Sequence, residues 1–222
     1  MKEKKKRIAI TDISETIKIY GKDWSNIEIV FSKFEYAHID KHKDIDLRNI
    51  ILPKEKEFFK YSFVGLYKNK VYLPEGDYSN YNFNNVSISN MVFTKNSVLP
   101  KHKELFTKLR SKRLDKCVLP KADYTIYSFE GVEFSEVVFL DGSELPLDFF
   151  QQLKNKTIEN FIMPKVDICS FNLNQINLYN VDFRKVNSIY DKDFFKKCDF
   201  KLETLYYFND LDINYYNFES VC

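Results

Sequence analysis

The chain has 222 residues, of which 44% are hydrophobic and 17% aromatic, enough to bury a substantial core as one domain or as an elongated repeat. Only five glycines and six prolines are present, which excludes a collagen-like segment or a long flexible linker, and the net charge of +2 excludes a uniformly charged polyelectrolyte. No apolar run reaches the length of a membrane-spanning helix, and the basic start MKEKKKRIAITDISE turns polar too early for a secretory signal, so a soluble cytoplasmic protein is expected.

In chain order, KRIAITDI, ETIKIYG and NIEIVFSKFEYAHI alternate well enough to predict strands. They form an expected β-rich cap over residues 1–50, in which Trp24 packs and which covers the apolar end of the adjoining repeat region. DIDLRNIILP, at 44 to 53, supplies a first partial step of a five-residue rhythm.

That rhythm governs residues 51–222. In DYSNYNFNNVSISNMVF, at 77 to 93, Tyr78, Phe83, Ile88 and Phe93 fall every five positions, matching neither a helix nor an alternating strand. The same offsets recur at Tyr124, Phe129, Phe134 and Phe139, then at Ile168, Leu173, Leu178 and Phe183, with a shortened copy in DINYYNFESVC. The opening Asp77, Asp123, Asp167 and Asp212 are 46, 44 and 45 residues apart, so the repeating unit is about 45 residues. Equal offsets predict one ladder of Tyr78, Tyr124, Ile168 and Ile213, and a second of Phe83, Phe129, Leu173 and Phe218.

The segments between also repeat. Short helices are predicted at about 54 to 65, 101 to 113, 147 to 156 and 191 to 198, docked through Phe58 and Phe59, Leu105 and Phe106, Phe149 and Phe150, and Phe194 and Phe195. Pro53, Pro100 and Pro146 suit the first turn of those helices, while Pro74, Pro120 and Pro164 precede the five-residue runs.

Runs such as YNFNNVSISNMVF and FNLNQINLYNVDF resemble pentapeptide repeats, which place Asp or Asn before a central Leu or Phe, as in Asn82 before Phe83, Asn172 before Leu173, Asn177 before Leu178 and Asp182 before Phe183. The resemblance covers four stretches, roughly a third of the chain, and implies a right-handed, four-faced β-helix with the central side chains inside. Two positions before the centre, Met91, Tyr127, Val137 and Phe171 are larger than the family pattern prefers. The expected fold is therefore an irregular repeat solenoid of right-handed β-helix-like coils with short helical insertions, the alternative being a compact α/β repeat.

Catalytic signals are sparse. The glycines form no phosphate-binding loop, and no His lies in a nucleophile-and-base arrangement. His38 and His42, with Asp40, invite a metal only without a marked fourth ligand, and Cys117, Cys169, Cys198 and Cys222 are too scattered for a metal or disulfide pattern. No catalytic residue, metal or cofactor is expected.

Charge is polarised. Residues 1 to 120 hold 24 basic and 15 acidic side chains, giving +9, and residues 121 to 222 hold 10 and 17, giving −7. The candidate acidic surface is Glu130, Glu133, Glu136, Asp141, Glu144 and Asp148; the candidate basic surface is Lys101, Lys103, Lys108, Arg110, Lys112 and Arg113. These features predict a non-enzymatic binding protein or inhibitor, its acidic half facing a basic nucleic-acid-processing protein. Some pentapeptide-repeat proteins resemble a DNA duplex and bind type II topoisomerases, and such a target is what the resemblance implies; a phage- or host-encoded counter-defence inhibitor of another nucleic-acid enzyme is an equally open reading. The enrichment in Lys, Asn, Ile, Tyr and Phe fits an AT-rich bacterial or phage genome. The alternatives are direct nucleic-acid binding through the basic half and an enzyme with an unfamiliar pocket. The chain stops inside a repeat, so the final turn is expected to be covered either by another copy of the chain, as a homodimer contact, or by the last helix.

Overall fold

The computed structural model describes residues 6–8, 21–25, 27–29, 44–54, 56–62, 70–186 and 198–200. Strands β1 (Lys6–Ile8) and β2 (Ile27–Ile29) pair in parallel. Next come β3 (Ile45–Asp46), helix α1 (Phe58–Ser62), β4 (Val71–Tyr72), β5 (Met91–Val92), β6 (Arg113–Asp115), β7 (Val118–Leu119), β8 (Glu133–Ser135), β9 (Val138–Phe139), helix α2 (Phe149–Gln152), β10 (Thr157–Glu159), β11 (Ile176–Tyr179) and β12 (Cys198–Phe200). They build two five-stranded parallel sheets, β3-β4-β5-β7-β9 and β6-β8-β10-β11-β12. The architecture is parallel β with few and very short helices.

The registers explain the 45-residue period. Val71 pairs with Met91, 20 residues on, Val92 with Val118, 26 on, and Val118 with Val138, 20 on. Isolated bridges carry the same sheet from Val138 to Ile162 and Asp182. The other sheet steps from Leu114 to Phe134, Ile158 and Leu178 by 20, 24 and 20. Each repeat thus spans two successive strand-to-strand steps, or circuits, a plain one of 20 residues and a longer one carrying an insertion.

A plain circuit is four five-residue steps, and Tyr78, Phe83, Ile88 and Phe93 are its four inward positions, all buried. The residues two before the centres also point inward, for Met91, Cys117, Val137, Phe161 and Val181 are buried in consecutive circuits. The bulky side chains at these positions are accommodated inside. The polar residue before the centre acts on the backbone instead: the side-chain oxygens of Asn82 and Asn172 accept from the amides of Asn84 and Asn174 at 3.0 and 3.1 Å. At the corners the central carbonyl accepts from the amide three residues on, as Val86 to Phe83 and Val132 to Phe129, at 3.0 and 2.9 Å. The residue two after the centre then takes positive φ, met by Asn85, Asn90, Asn160, Asn180 and Gly131, residue types suited to that conformation.

Two expectations need correction. The predicted ladders are not built of neighbouring rungs: Asp77 bridges to Val98 and Asp123 to Glu144, so the buried Leu99 and Leu145 follow Tyr78 and Tyr124 on the same side. The equal offsets selected every second rung. The insertions are also shorter than predicted, with α1 and α2 of five and four residues. Residues 101–113 contain turns and a 3₁₀ segment, Arg110–Lys112, but no α-helix. The long steps exceed the plain one by only 4 to 6 residues, which leaves room for a single turn. Pro146 stands ahead of α2, its carbonyl accepting from the Phe149 amide at 2.9 Å. The segment 191–197 and the Ile213 and Phe218 rungs lie outside the described residues.

The insertion aromatics are core residues. Phe59 stacks on Phe83 and Phe106 on Phe129, each with ring centroids 4.8 Å apart, so the long circuit fills with an insertion residue the place a five-residue centre takes in the plain one. Trp24 is fully buried beneath the first circuit, its indole N–H donating to the Gly21 carbonyl at 3.0 Å.

Candidate functional site

The side of the molecule that carries Tyr78 and Tyr124 inward carries the repeat-opening aspartates outward. Bridges join Asp23 to Ile51, Asp77 to Val98 and Asp123 to Glu144, and Asp167 occupies the same place before Ile168. Alternation forces this arrangement: Trp24, Leu52, Tyr78, Leu99, Tyr124, Leu145 and Ile168 face the core, so the residue before each faces solvent. The resulting column reads Asp23, Ile51, Asp77, Val98, Asp123, Glu144, Asp167, and all seven are exposed.

The aspartates are fixed by their own backbone. The carboxylates of Asp23, Asp77, Asp123 and Asp167 accept from the amides two residues on, at 2.9, 2.8, 2.9 and 3.1 Å. Side-chain and then amide hydrogen bonds from Ser25, Ser79 and Thr125 hold Asp23, Asp77 and Asp123 below the usual carboxylate range. None of the five acids of the column forms an ion pair among the described residues. Asp23, Asp77 and Asp123 therefore stay charged at neutral pH.

The same flank collects the exposed apolar side chains. Among the described residues the large hydrophobics that stand in solvent are Ile51 at 55%, Val98 at 41%, Ile126 at 42% and Leu147 at 65%. Ile51 and Val98 belong to the column; Ile126 and Leu147 follow Tyr124 and Leu145 by two residues, at the adjoining corner. Carboxylates and apolar groups therefore share one strip.

The acidic set expected from sequence is dispersed. Glu144 lies in the column, and Asp148 stands at the start of α2, accepting from Gln152 Nε2 at 2.8 Å. Glu130 follows Phe129 on another side. Glu133, in β8, lies between Arg113 at 3.6 Å and Lys154 at 3.0 Å, while Glu136 pairs with Lys116 at 3.5 Å and Asp141 with Lys185 at 2.9 Å. Glu133 and Glu136 meet cations from the basic half, so the charge division along the sequence is partly neutralised where circuits touch.

The basic set divides too. The charge of Lys101 reaches both Asp77 and Asp123, Arg110 donates through Nε to the Asn85 carbonyl at 3.3 Å, and Lys112 sits exposed at positive φ. Lys103 and Lys108 line a cleft of about 590 Å³ with Lys56, His102, Glu104, Asn80 to Asn82 and Asn84, between the first and second insertions. Asp77, Asp123 and Asp167 were the missed candidates, although their recurrence at the head of every repeat was the available signal.

Among the described residues no group of three His, Cys, Asp or Glu side chains is placed to hold a metal ion, and no helix is long and apolar enough to cross a membrane. His38 and His42 lie outside those residues. No family model, curated protein or solved structure matches the chain.

Proposed function

We propose that the chain is a divergent pentapeptide-repeat protein, an irregular right-handed β-helix-like solenoid with short insertions, and that it works in the cytoplasm as a non-enzymatic protein-binding scaffold or inhibitor. The observation that carries this reading is the strip on which five carboxylates that form no ion pair among the described residues share one side with exposed Ile51 and Val98, beside Ile126 and Leu147. Paired strands lie about 4.8 Å apart, so acids two circuits apart recur about every 10 Å. Such a strip complements a basic surface that also has apolar contacts to offer, and its backbone-fixed aspartates need little ordering on binding. A nucleic-acid-processing protein is one partner class that carries a basic surface of this kind.

The reading favours binding over turnover because the strip repeats one chemical group along a scaffold, whereas catalysis needs different groups converging on one atom. It differs from the charge-density expectation in its residues: Asp77, Asp123, Glu144 and Asp167 replace Glu130, Glu133 and Glu136 as the contact set.

The test is capture from a native-host extract with the purified chain, followed by mass spectrometry and measurement of the captured protein's binding against salt. The variant D77K/D123K/D167K should lose the partner and flatten the salt dependence. Retention of the same partner by that variant, with the same salt slope, would remove the strip as the binding surface.

A further inference from the structure

The cleft between the first two insertions is chemically unlike the strip beside it. Its floor is Ser79 to Asn82 with Asn84, and its walls carry Lys56 on one side and His102, Lys103, Glu104 and Lys108 on the other. The walls are held to the floor by backbone bonds: the amide of Asn82 donates to the Lys56 carbonyl at 2.7 Å, and that of Asn85 to the Lys108 carbonyl at 2.8 Å. Lys56 and Lys103 occupy the same step of consecutive repeats, since the Ser128 amide donates to the Lys103 carbonyl at 2.7 Å in the equivalent contact. The cleft is therefore pre-formed, with two lysines projecting from fixed bases.

Charge at the site is positive. Lys108 is paired with Glu104, while Lys56 and Lys103 enter no ion pair among the described residues. A single nucleic-acid strand is a poor match for the remainder. Its phosphates present only acceptors, which would set Glu104 and the asparagine carbonyls against negative charge. The one ring in the floor, Tyr81, is committed, its hydroxyl donating to the Pro53 carbonyl at 2.7 Å and its ring meeting Phe59 edge-on at 5.1 Å, so it offers no platform for a base. A peptide is a better match, because the side-chain amides of Asn80 and Asn84 make no bond of their own among the described residues and each offers a donor and an acceptor to a peptide group.

We propose that this cleft docks an acidic peptide segment of the bound protein, two of its carboxylates pairing with Lys56 and Lys103 while its backbone meets Asn80 and Asn84. The proposal rests on the protein-binding reading of the acidic strip and adds a second, oppositely charged contact to it. The partner then presents a basic face to the strip and an acidic segment to the cleft, a pairing that fixes orientation.

The test uses three fluorescein-labelled probes, the peptide (Gly-Glu)₄, its (Gly-Gln)₄ counterpart and an eight-nucleotide oligo-dT, with binding followed by anisotropy. The wild-type chain is expected to bind (Gly-Glu)₄ in preference to both other probes. K56E/K103E should weaken that binding by about tenfold or more, and K56Q/K103Q by less, while the equal charge change K95E/K165E on exposed lysines away from the cleft leaves it within about twofold. Equal losses in the cleft and control variants, tighter binding of oligo-dT, or no binding of (Gly-Glu)₄ would each overturn the proposal. Circular dichroism confirms that each variant is folded. A captured partner that K56E/K103E still binds at full affinity overturns the cleft alone; an extract from which the wild-type chain retains no protein overturns the parent reading.

Discussion

The hydroxyl of Tyr124 donates to the carbonyl of Pro120 at 2.6 Å, and one repeat earlier the hydroxyl of Tyr78 donates to Pro74 at 2.5 Å. Both rings are buried, so Pro74 and Pro120 supply the acceptors that two buried phenols need. Removing the hydroxyl leaves the prolyl carbonyl without that partner. Tyr124→Phe is expected to destabilise the chain by about 1–3 kcal/mol, read from denaturant midpoints, whereas Tyr81→Phe, at a half-buried ring, should cost less.

The same burial sets an alkaline limit. Burial first, then the neighbouring Tyr127 and Cys117, pushes Tyr124 well above the ordinary phenol range, and burial followed by the Asp115 charge pushes the Cys117 thiol up to about 12. Both groups keep their protons longer in the folded chain than in the unfolded one. Their contribution is complete below the unfolded value and is lost as pH rises toward the folded one. Stability should therefore fall as pH rises through the ordinary thiol range, with Cys117 leading and the tyrosines joining near pH 10. Cys117→Val should delay the onset, and an unchanged pH profile of the thermal midpoint would contradict the assignment.

Much of this was legible in sequence, for a physical reason. In a chain that turns a corner every five residues, inward positions must be apolar and corner positions must tolerate positive φ, which is why Tyr78, Phe83, Ile88 and Phe93 stand out beside Asn85 and Asn90. The rungs of the longer circuits were hidden. From Leu99 to Phe106 is seven residues and from there to Leu114 eight, so no fixed period marks the insertion circuits. The acidic strip was obscured differently, because local charge density selects Glu130, Glu133 and Glu136. A spacing of three crosses corners and scatters those side chains; a spacing of 44 or 46 returns to one side.

Corner conformations offer a second stability test. Glu136 holds φ of 52° and Gly131 φ of 68° at equivalent places two residues after Phe134 and Phe129. A side chain with a Cβ is penalised in that region by about 1–2 kcal/mol. Glu136→Gly should raise stability by up to about 1 kcal/mol despite the loss of its exposed contact with Lys116, since glycine gives back part of the gain as chain entropy. Gly131→Ala should lower it. Thermal midpoints moving the opposite way in both variants would contradict the corner assignment.

Phe129 tests whether insertion and core form one cooperative unit. Its ring is fully buried and lies 4.8 Å from Phe106 and 5.0 Å from Phe149, which come from the insertions on either side. Phe129→Ala is expected to cost about 3–5 kcal/mol. Short segments of this kind have little helical stability of their own, so amide exchange in residues 103–109 and 149–153 should accelerate together in the variant. Exchange changing at 129 alone would mean the insertions are held by something other than this contact.

The strip makes a kinetic prediction separable from stability. Asp77, Asp123 and Asp167 are exposed, lie on a single side and recur at two-circuit intervals, so they act on an approaching basic partner as one field rather than as isolated charges. Reversing them to lysine should slow association by more than it speeds dissociation, with the largest effect at low salt, where screening is weakest. Glutamates paired across circuits behave differently: Glu133 is held between Arg113 and Lys154, and its replacement by Gln should change association little. Ile51 and Leu147 complete the contrast, because they add apolar contact only once the partner has docked. Ile51→Ser and Leu147→Ser are expected to accelerate dissociation while leaving the association rate and its salt dependence intact, and both rates can be read by surface-bound kinetics with the captured partner. A partner whose association is insensitive to the three aspartates and whose dissociation is insensitive to the two apolar residues binds elsewhere on the molecule.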